Sequence, residues 1–112
     1  MPRAAAASDV FNAVAEPRRR EILVYLAARD RPVSAIVEAL ELGQPSVSKH
    51  LKVLNQVGLV TARREGRQMF YRANPDALKP LHDWTRMFER YWRHQLERVK
   101  ERAEGKAGRT TG

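Results

Sequence analysis

Cysteine is absent from the 112-residue chain. That excludes disulfides, thiolate metal sites and thiol redox switches. No stretch approaches the roughly 18–20 apolar residues that a membrane-spanning helix needs. The opening residues, Met1-Pro2-Arg3 and Ala4 to Ala7, hold no apolar run long enough for a signal-peptide core, so the cytoplasm is the expected location. There is no glycine-rich phosphate loop and no His-Asp-Ser set. The acids are scattered over helix surfaces, so neither an enzyme nor a cofactor is expected. Acids are also outnumbered, 13 against 21 lysines and arginines, for a formal net charge of +8. That balance favours polyanionic partners, nucleic acid before an acidic membrane surface.

Hydrophobic residues make up 43% of the chain, enough for one modest core. A chain of this length buries a limited share of its surface, so pairing with a second copy is reasonable on size alone. Residues 1–7 and 103–112 read as disordered ends, and 8–102 as one folded domain. A first helix is expected after Ser8, through Val10, Phe11 and Val14. Pro17 ends it and opens a second helix to about Ala28. Arg29-Asp30-Arg31-Pro32 reads as a turn. Ser34 is the expected cap of a third helix that buries Ile36, Val37 and Leu40. Gly43 and Pro45 open a fourth, which Gly58 stops near Val57. Leu59 to Arg64 and Arg67 to Ala73 read as two strands, with Glu65-Gly66 as the hairpin turn. A long amphipathic helix follows from about Asp76 to Arg102. The fold expected is mainly α with a small β-hairpin, a winged helix-turn-helix in the order α-α-α-α-β-β-α.

The fourth helix carries the chemistry. Val47, Leu51 and Leu54 recur at i, i+4 and i+7 as its buried stripe. The opposite side carries Ser48, Lys49, Lys52 and Gln56, with Gln44 and Ser46 in the first turn and no acid among them. Hydroxyls, amides and long cations can donate to base edges and phosphates in a DNA major groove. The alternative is an ordinary solvated polar face. A basic hairpin follows, with Arg63, Arg64 and Arg67 around its tip. Such a wing can lie along the DNA backbone or place an arginine in the minor groove. Equally, its charges could protect an edge hairpin from aggregation. His50 sits beside the buried stripe, placed for a DNA contact or for packing. Of Arg18, Arg19 and Arg20, at least one should pair with a nearby acid, while one or two, Arg19 among them, could reach phosphate.

Four blocks in this order resemble the ArsR family of bacterial winged-helix repressors, in particular its cysteine-free, non-metal branch. They are Glu16-Pro17-Arg18-Arg19-Arg20-Glu21-Ile22-Leu23, then Gln44-Pro45-Ser46-Val47-Ser48-Lys49-His50-Leu51-Lys52-Val53-Leu54, then Gly58-Leu59-Val60, then Arg64-Glu65-Gly66-Arg67 with Tyr71. The resemblance spans roughly residues 9 to 100. It implies a homodimer on a palindromic operator, acting as a repressor by occluding a promoter. The DNA-reading positions it implies are Gln44, Ser46, Ser48, Lys49 and His50. It also implies that the first and last helices pair across a dimer axis, which makes Phe11, Val14, Trp84, Phe88, Tyr91 and Trp92 the expected interface. Gly43 departs from the serine cap of many members, at a cost of only a few tenths of a kcal/mol.

The family's two familiar metal sites fare poorly on this sequence. Where arsenic-sensing members carry Cys-Val-Cys, this chain has Pro32-Val33-Ser34. Of the zinc-sensing pattern in the last helix, His82 and His94-Gln95-Leu96-Glu97 remain. Their spacing is one residue too long, and Pro80 replaces an aspartate. One extra residue turns the second pair by about 100°, so no metal ligand is expected. A zinc-responsive repressor using the last helix stays as one alternative, and a non-specific nucleoid-type DNA-coating protein as another. A third is an adaptor that binds protein. The inducer and the operator sequence are not legible.

Overall fold

The computed structural model describes residues 2–111, with side chains placed for 9–104. Of the ends expected to be disordered, residues 2–7 and 103–111 fall within the first and last helices, and only 103 and 104 of them have placed side chains. The chain divides into two units, one ending at Leu81 and the other beginning at His82.

The first unit opens with α1 (Pro2–Ala15) and α2 (Pro17–Ala27). Glu16 separates them. Its carboxylate accepts from the Arg18 backbone N–H at 3.0 Å, and Pro17 takes the first helical position, where no N–H is needed. Next come β1 (Arg31–Pro32), α3 (Val33–Leu40) and α4 (Gln44–Gln56). The hairpin is β2 (Val60–Glu65) and β3 (Gln68–Ala73). One core joins them: Val10 and Ala13 of α1, Ile22 and Leu26 of α2, Ile36 of α3, the α4 stripe, Leu59 and Val60.

Four expectations are corrected. Arg29 to Pro32 is more than a turn, because Arg31 pairs with Tyr71 and Pro32 with Phe70, adding a third antiparallel strand in the order β1-β3-β2. Pro32 is tolerated there because β1 is an edge strand and loses no ladder hydrogen bond on its outer side. It also takes the cap position of α3 in place of Ser34. The hairpin turn is Gly66-Arg67, since Glu65 pairs with Gln68. Gly66 supplies φ +66° at the first of the two central positions, where a side chain would be strained.

The fourth correction concerns the last helix, which is not continuous. A 3₁₀ turn (Pro75–Leu78) leads into α5 (Lys79–Arg86), and α6 (Glu89–Thr111) follows after a break at Met87 and Phe88. The break has a local cause. Thr85 Oγ1 donates to the His82 carbonyl at 2.9 Å, and the ladder tightens to i−3 bonds: Met87 N–H to Trp84 O at 3.2 Å and Phe88 N–H to Thr85 O at 3.0 Å. The observed order is therefore α-α-β-α-α-β-β-α-α. Among the described residues, no helix is long and apolar enough to cross a membrane.

Candidate nucleic-acid interface

Helix α4 is held at both ends and along one side. Val47, Leu51 and Leu54 are buried as the spacing predicts. At the C-terminus Gly58 adopts φ +80°. The Gly58 N–H donates to Asn55 O at 3.0 Å and the Leu59 N–H to Leu54 O at 2.9 Å. Those are the two bonds of a Schellman motif, and buried Leu54 and Leu59 supply its apolar contact. Asn74 braces the junction, donating from Nδ2 to Gly58 O at 2.9 Å and from its backbone N–H to Leu59 O at 2.8 Å. Gly43 caps the N-terminus without a side chain, so the first-turn N–H groups point outward with no side-chain partner.

With one side fixed, the other is presented to solvent. Gln44, Ser48, Lys49, Lys52 and Gln56 are exposed and Ser46 is half-buried. At 100° per residue, Ser48, Lys49, Lys52 and Gln56 occupy one arc of about 100° centred opposite the buried stripe. The helix contains no acid, so nothing on it neutralises the two lysines or repels phosphate. His50 lies off this arc. It is half-buried, and its Nδ1 is closed to solvent without a hydrogen-bond partner.

The arginines divide into two groups. Arg64 and Arg67 are exposed and form no ion pair among the described residues. Arg63 is committed within the chain. It pairs with Asp30, pairs with Glu65 at 2.9 Å, and lies 5.2 Å from the centre of the Phe70 ring. Arg72 joins the same group, its Nε donating to Asp30 Oδ1 at 3.0 Å. The hydrogen bond from Arg72 does most to hold the Asp30 carboxyl below the usual carboxylate range; burial opposes it, and the weaker Arg63 hydrogen bond and the charges of both guanidiniums add to the lowering. The Asp30 and Glu65 carboxylates in turn raise the Arg63 guanidinium above its ordinary value. Asp30 and Arg72 escape a reading by local pattern. Asp30 lies 33 residues from Arg63 in the chain, and only the strand register brings them together.

Arg19 is likewise hydrogen-bonded within the chain. Its Nε donates to Ala13 O at 2.6 Å and its Nη2 to Asn12 O at 3.3 Å, so it closes the C-terminal end of α1. Arg20 does the same from the other side, with Nη1 to Val14 O at 2.7 Å and Ala15 O at 3.2 Å. Arg18 pairs with Glu21 at 2.9 Å, the acid partner expected for one of the three.

Of the residues expected at a dimer interface, Phe11 is half-buried and Val14 packs against the core of the first unit. In the second unit, Trp84, Phe88, Tyr91 and Trp92 are exposed, as are Leu96 and Val99 further along α6. The Trp84 and Phe88 rings meet edge to face, 5.4 Å between centres. His82 is exposed beside Asp83, with Nδ1 and Oδ1 3.8 Å apart. Among the described residues, no three His, Asp or Glu side chains gather to hold a metal ion.

Comparison with known proteins agrees with this architecture. The family model described as bacterial regulatory protein, arsR family, matches residues 16–62, which run from the cap of α2 into β2. The transcriptional repressor SdpR of Bacillus subtilis is 32% identical over 81 residues, covering 72% of this chain and 90% of SdpR. The HTH-type transcriptional repressor SmtB of Mycobacterium tuberculosis is 43% identical over 67 residues, 60% of this chain; the match spans 50% of SmtB's length. Among solved structures, an ArsR-like transcriptional regulator from Rhodococcus sp. RHA1 superposes with a TM-score of 0.69 at 28% identity, covering 90% of this chain and 95% of that one. A homodimeric winged helix-turn-helix DNA-binding domain from Mycobacterium bovis gives 0.66 at 32% identity, covering 81% and 85%. With its α3-turn-α4 unit, its hairpin wing and these relatives, the chain belongs to the ArsR family of bacterial regulatory proteins.

Proposed function

We propose that the chain is a transcriptional repressor that binds double-stranded DNA as a homodimer and reads sequence with α4. The observation that carries this reading is the acid-free outward arc of α4, set opposite a buried stripe and fixed by caps at both ends. Ser48, Lys49 and Lys52 would face the major groove, with Gln44 and Ser46 at the entering end of the helix. Arg64 and Arg67 would contact phosphate or the adjacent minor groove.

The repressor role rests on relatives named as repressors, SdpR and SmtB. The homodimer rests on the dimeric M. bovis domain and on the exposed aromatic face of α5 and α6. Half-sites should then be centred roughly 10 bp apart or a multiple of that. A DNA-coating protein would need charge alone, and Gln44, Ser46 and Ser48 are not charged.

The test is a gel shift with the chain's own promoter region against random DNA of equal length. A preference of at least about 10³-fold is expected of a specific reader. Equal affinity for both would favour coating and would end the specific-repressor reading.

A further inference from the structure

The wing carries four arginines, and the structure sorts them into two pairs. The register places Arg63 opposite Phe70 and Thr61 opposite Arg72. Directly opposed residues share a face of the sheet, as do alternate residues along a strand. Arg63, Phe70 and Arg72 therefore stand on the same face. On β1, Arg31 opposite Tyr71 sets the ladder, so Asp30 comes level with Arg72. Its two oxygens divide between the strands: Oδ1 accepts from Arg72 Nε at 3.0 Å, and Oδ2 accepts from Arg63. To reach it, Arg63 spans the central strand, two strand spacings of about 4.8 Å each. Its guanidinium crosses above Phe70 on the way. Glu65 takes the Nε and Nη2 donors of the same guanidinium at 3.1 and 2.9 Å.

Charge is balanced within this group, two arginines against two carboxylates. Arg64, which falls on the opposite face of β2, and Arg67 at the turn have no such partner among the described residues. The Asp30 side chain is only 20% exposed, whereas those of Arg63 and Arg72 are 48% and 68% exposed. The cations are thus within reach of a polyanion, and the acid that holds them is tucked behind them.

We propose that Asp30 is a positioning residue that withholds Arg63 and Arg72 from phosphate, so that only Arg64 and Arg67 of the wing arginines count in DNA binding. The inference rests on the DNA-binding reading above. Masking half the wing's charge lowers affinity for any DNA, and it leaves discrimination to α4. It also fixes the wing's direction by tying β2 to the edge strand β1.

The test is the salt dependence of binding to a random 30-bp duplex and to the promoter fragment, measured on the full chain by fluorescence anisotropy. Each additional phosphate neutralised steepens the slope of log K against log salt by about 0.9. Asp30→Asn should steepen it by about 1–2. For one extra contact, affinity then falls about 3.5-fold more between 50 and 200 mM salt. Random DNA should gain more affinity at low salt than the promoter fragment does, so the ratio between them falls. Glu101→Gln in α6 makes the same change in net charge and should leave the slope alone. In an Arg63→Ala background, Asp30→Asn should gain only the Arg72 share. Glu65→Gln should shift the slope in the same direction by less, and it serves if Asp30→Asn is poorly folded.

An Asp30→Asn slope no steeper than that of Glu101→Gln would overturn the masking proposal while leaving DNA binding intact. A wild-type protein with no salt-dependent DNA binding would overturn both.

Discussion

Arg19 Nε donates to the Ala13 carbonyl at 2.6 Å, across the break between α1 and α2. The last carbonyls of a helix lack intrahelical partners and carry the negative end of its dipole. A guanidinium there satisfies two of them with a full positive charge. Arg19→Ala should therefore destabilise the fold by about 1–2 kcal/mol. Arg19→Lys should recover only part of that, because an ammonium lacks the planar fork. Urea unfolding at fixed protein concentration measures both. The salt slope of DNA binding should stay at its wild-type value. A drop of about 0.9 in that slope would return Arg19 to the phosphate-contacting set.

Glu41 ends α3 in the left-handed region at φ 55°, the one non-glycine residue with positive φ among those described. It is exposed, and its conformation is imposed by the tight turn into α4. Such a position costs an L-residue roughly 1–2 kcal/mol, and glycine occupies it freely. Glycine loses more backbone entropy on folding, which offsets part of the gain. Glu41→Gly should stabilise by about 0.5–1 kcal/mol, readable as a rise in Tm. A fall in Tm would mean that the Glu41 side chain makes a contact that matters more than the backbone strain.

What could be read along the chain, and what could not, follows from the range of the interactions. The Val47–Leu51–Leu54 stripe and the Gly58 stop are local patterns of one helix, and they led directly to the outward arc of α4. Pro17 and Gly66 likewise act on their own backbone. The Asp30–Arg63 pair depends on the registers of β1 with β3 and of β3 with β2. A two-residue edge strand such as Arg31–Pro32 leaves no periodic trace that would signal it. Arg19 looked like a free cation because its acceptors are backbone carbonyls, which every sequence has. Clusters of arginine mark a basic surface, but they do not say which members are already spent within the fold. In the last helix, apolar spacing continues across Met87 and Phe88, and so conceals the break that Thr85 introduces.

The lowered Asp30 carboxyl sets the pH behaviour of the wing group. A carboxyl depressed in the folded state contributes stability above its unfolded value, about 3.9, and loses that contribution as pH falls through the lower folded value. The raised Arg63 does not titrate in the accessible range. From pH 5 to 8 the Asp30–Arg63 pair is therefore fully charged, and its contribution is flat. NMR titration of the Asp30 carboxyl carbon should give a midpoint below 3.9, and Arg63→Ala should move that midpoint upward. An unchanged midpoint in Arg63→Ala would mean that Arg72 alone holds the carboxylate.

On α4 and the wing, two classes of substitution should separate. Ser48→Ala and Lys49→Ala remove groups on the outward arc. Each should cost about 1–3 kcal/mol on the preferred DNA and much less on random DNA. Arg64→Ala and Arg67→Ala should weaken binding to all sequences alike and lower the salt slope by about 0.9 each. Competition anisotropy with both DNAs at several salt concentrations distinguishes the two patterns. If Lys49→Ala weakened both DNAs equally, that lysine would be a phosphate contact, and sequence reading would rest on Gln44, Ser46 and Ser48.

The exposed aromatic face of the second unit gives the last prediction. Trp84 and Phe88 meet edge to face, yet both remain substantially exposed, at 51% and 42%. Large apolar side chains clustered on a monomer surface mark a place where another surface sits, and in the proposed homodimer a second copy covers them. Phe88→Glu would place a carboxylate in that contact, where burial without a partner is costly. The dimer should weaken by on the order of 3 kcal/mol, about 100-fold in its dissociation constant. Sedimentation velocity at micromolar concentration should show a dimer for the wild type and mainly monomer for the variant. Far-UV circular dichroism should be unchanged in helix content. Because a two-half-site operator needs both copies of α4, the variant should also lose affinity for the promoter fragment more steeply than for random DNA. A Phe88→Glu protein that stays dimeric would move the interface to the α1 side, to Phe11 and its neighbours.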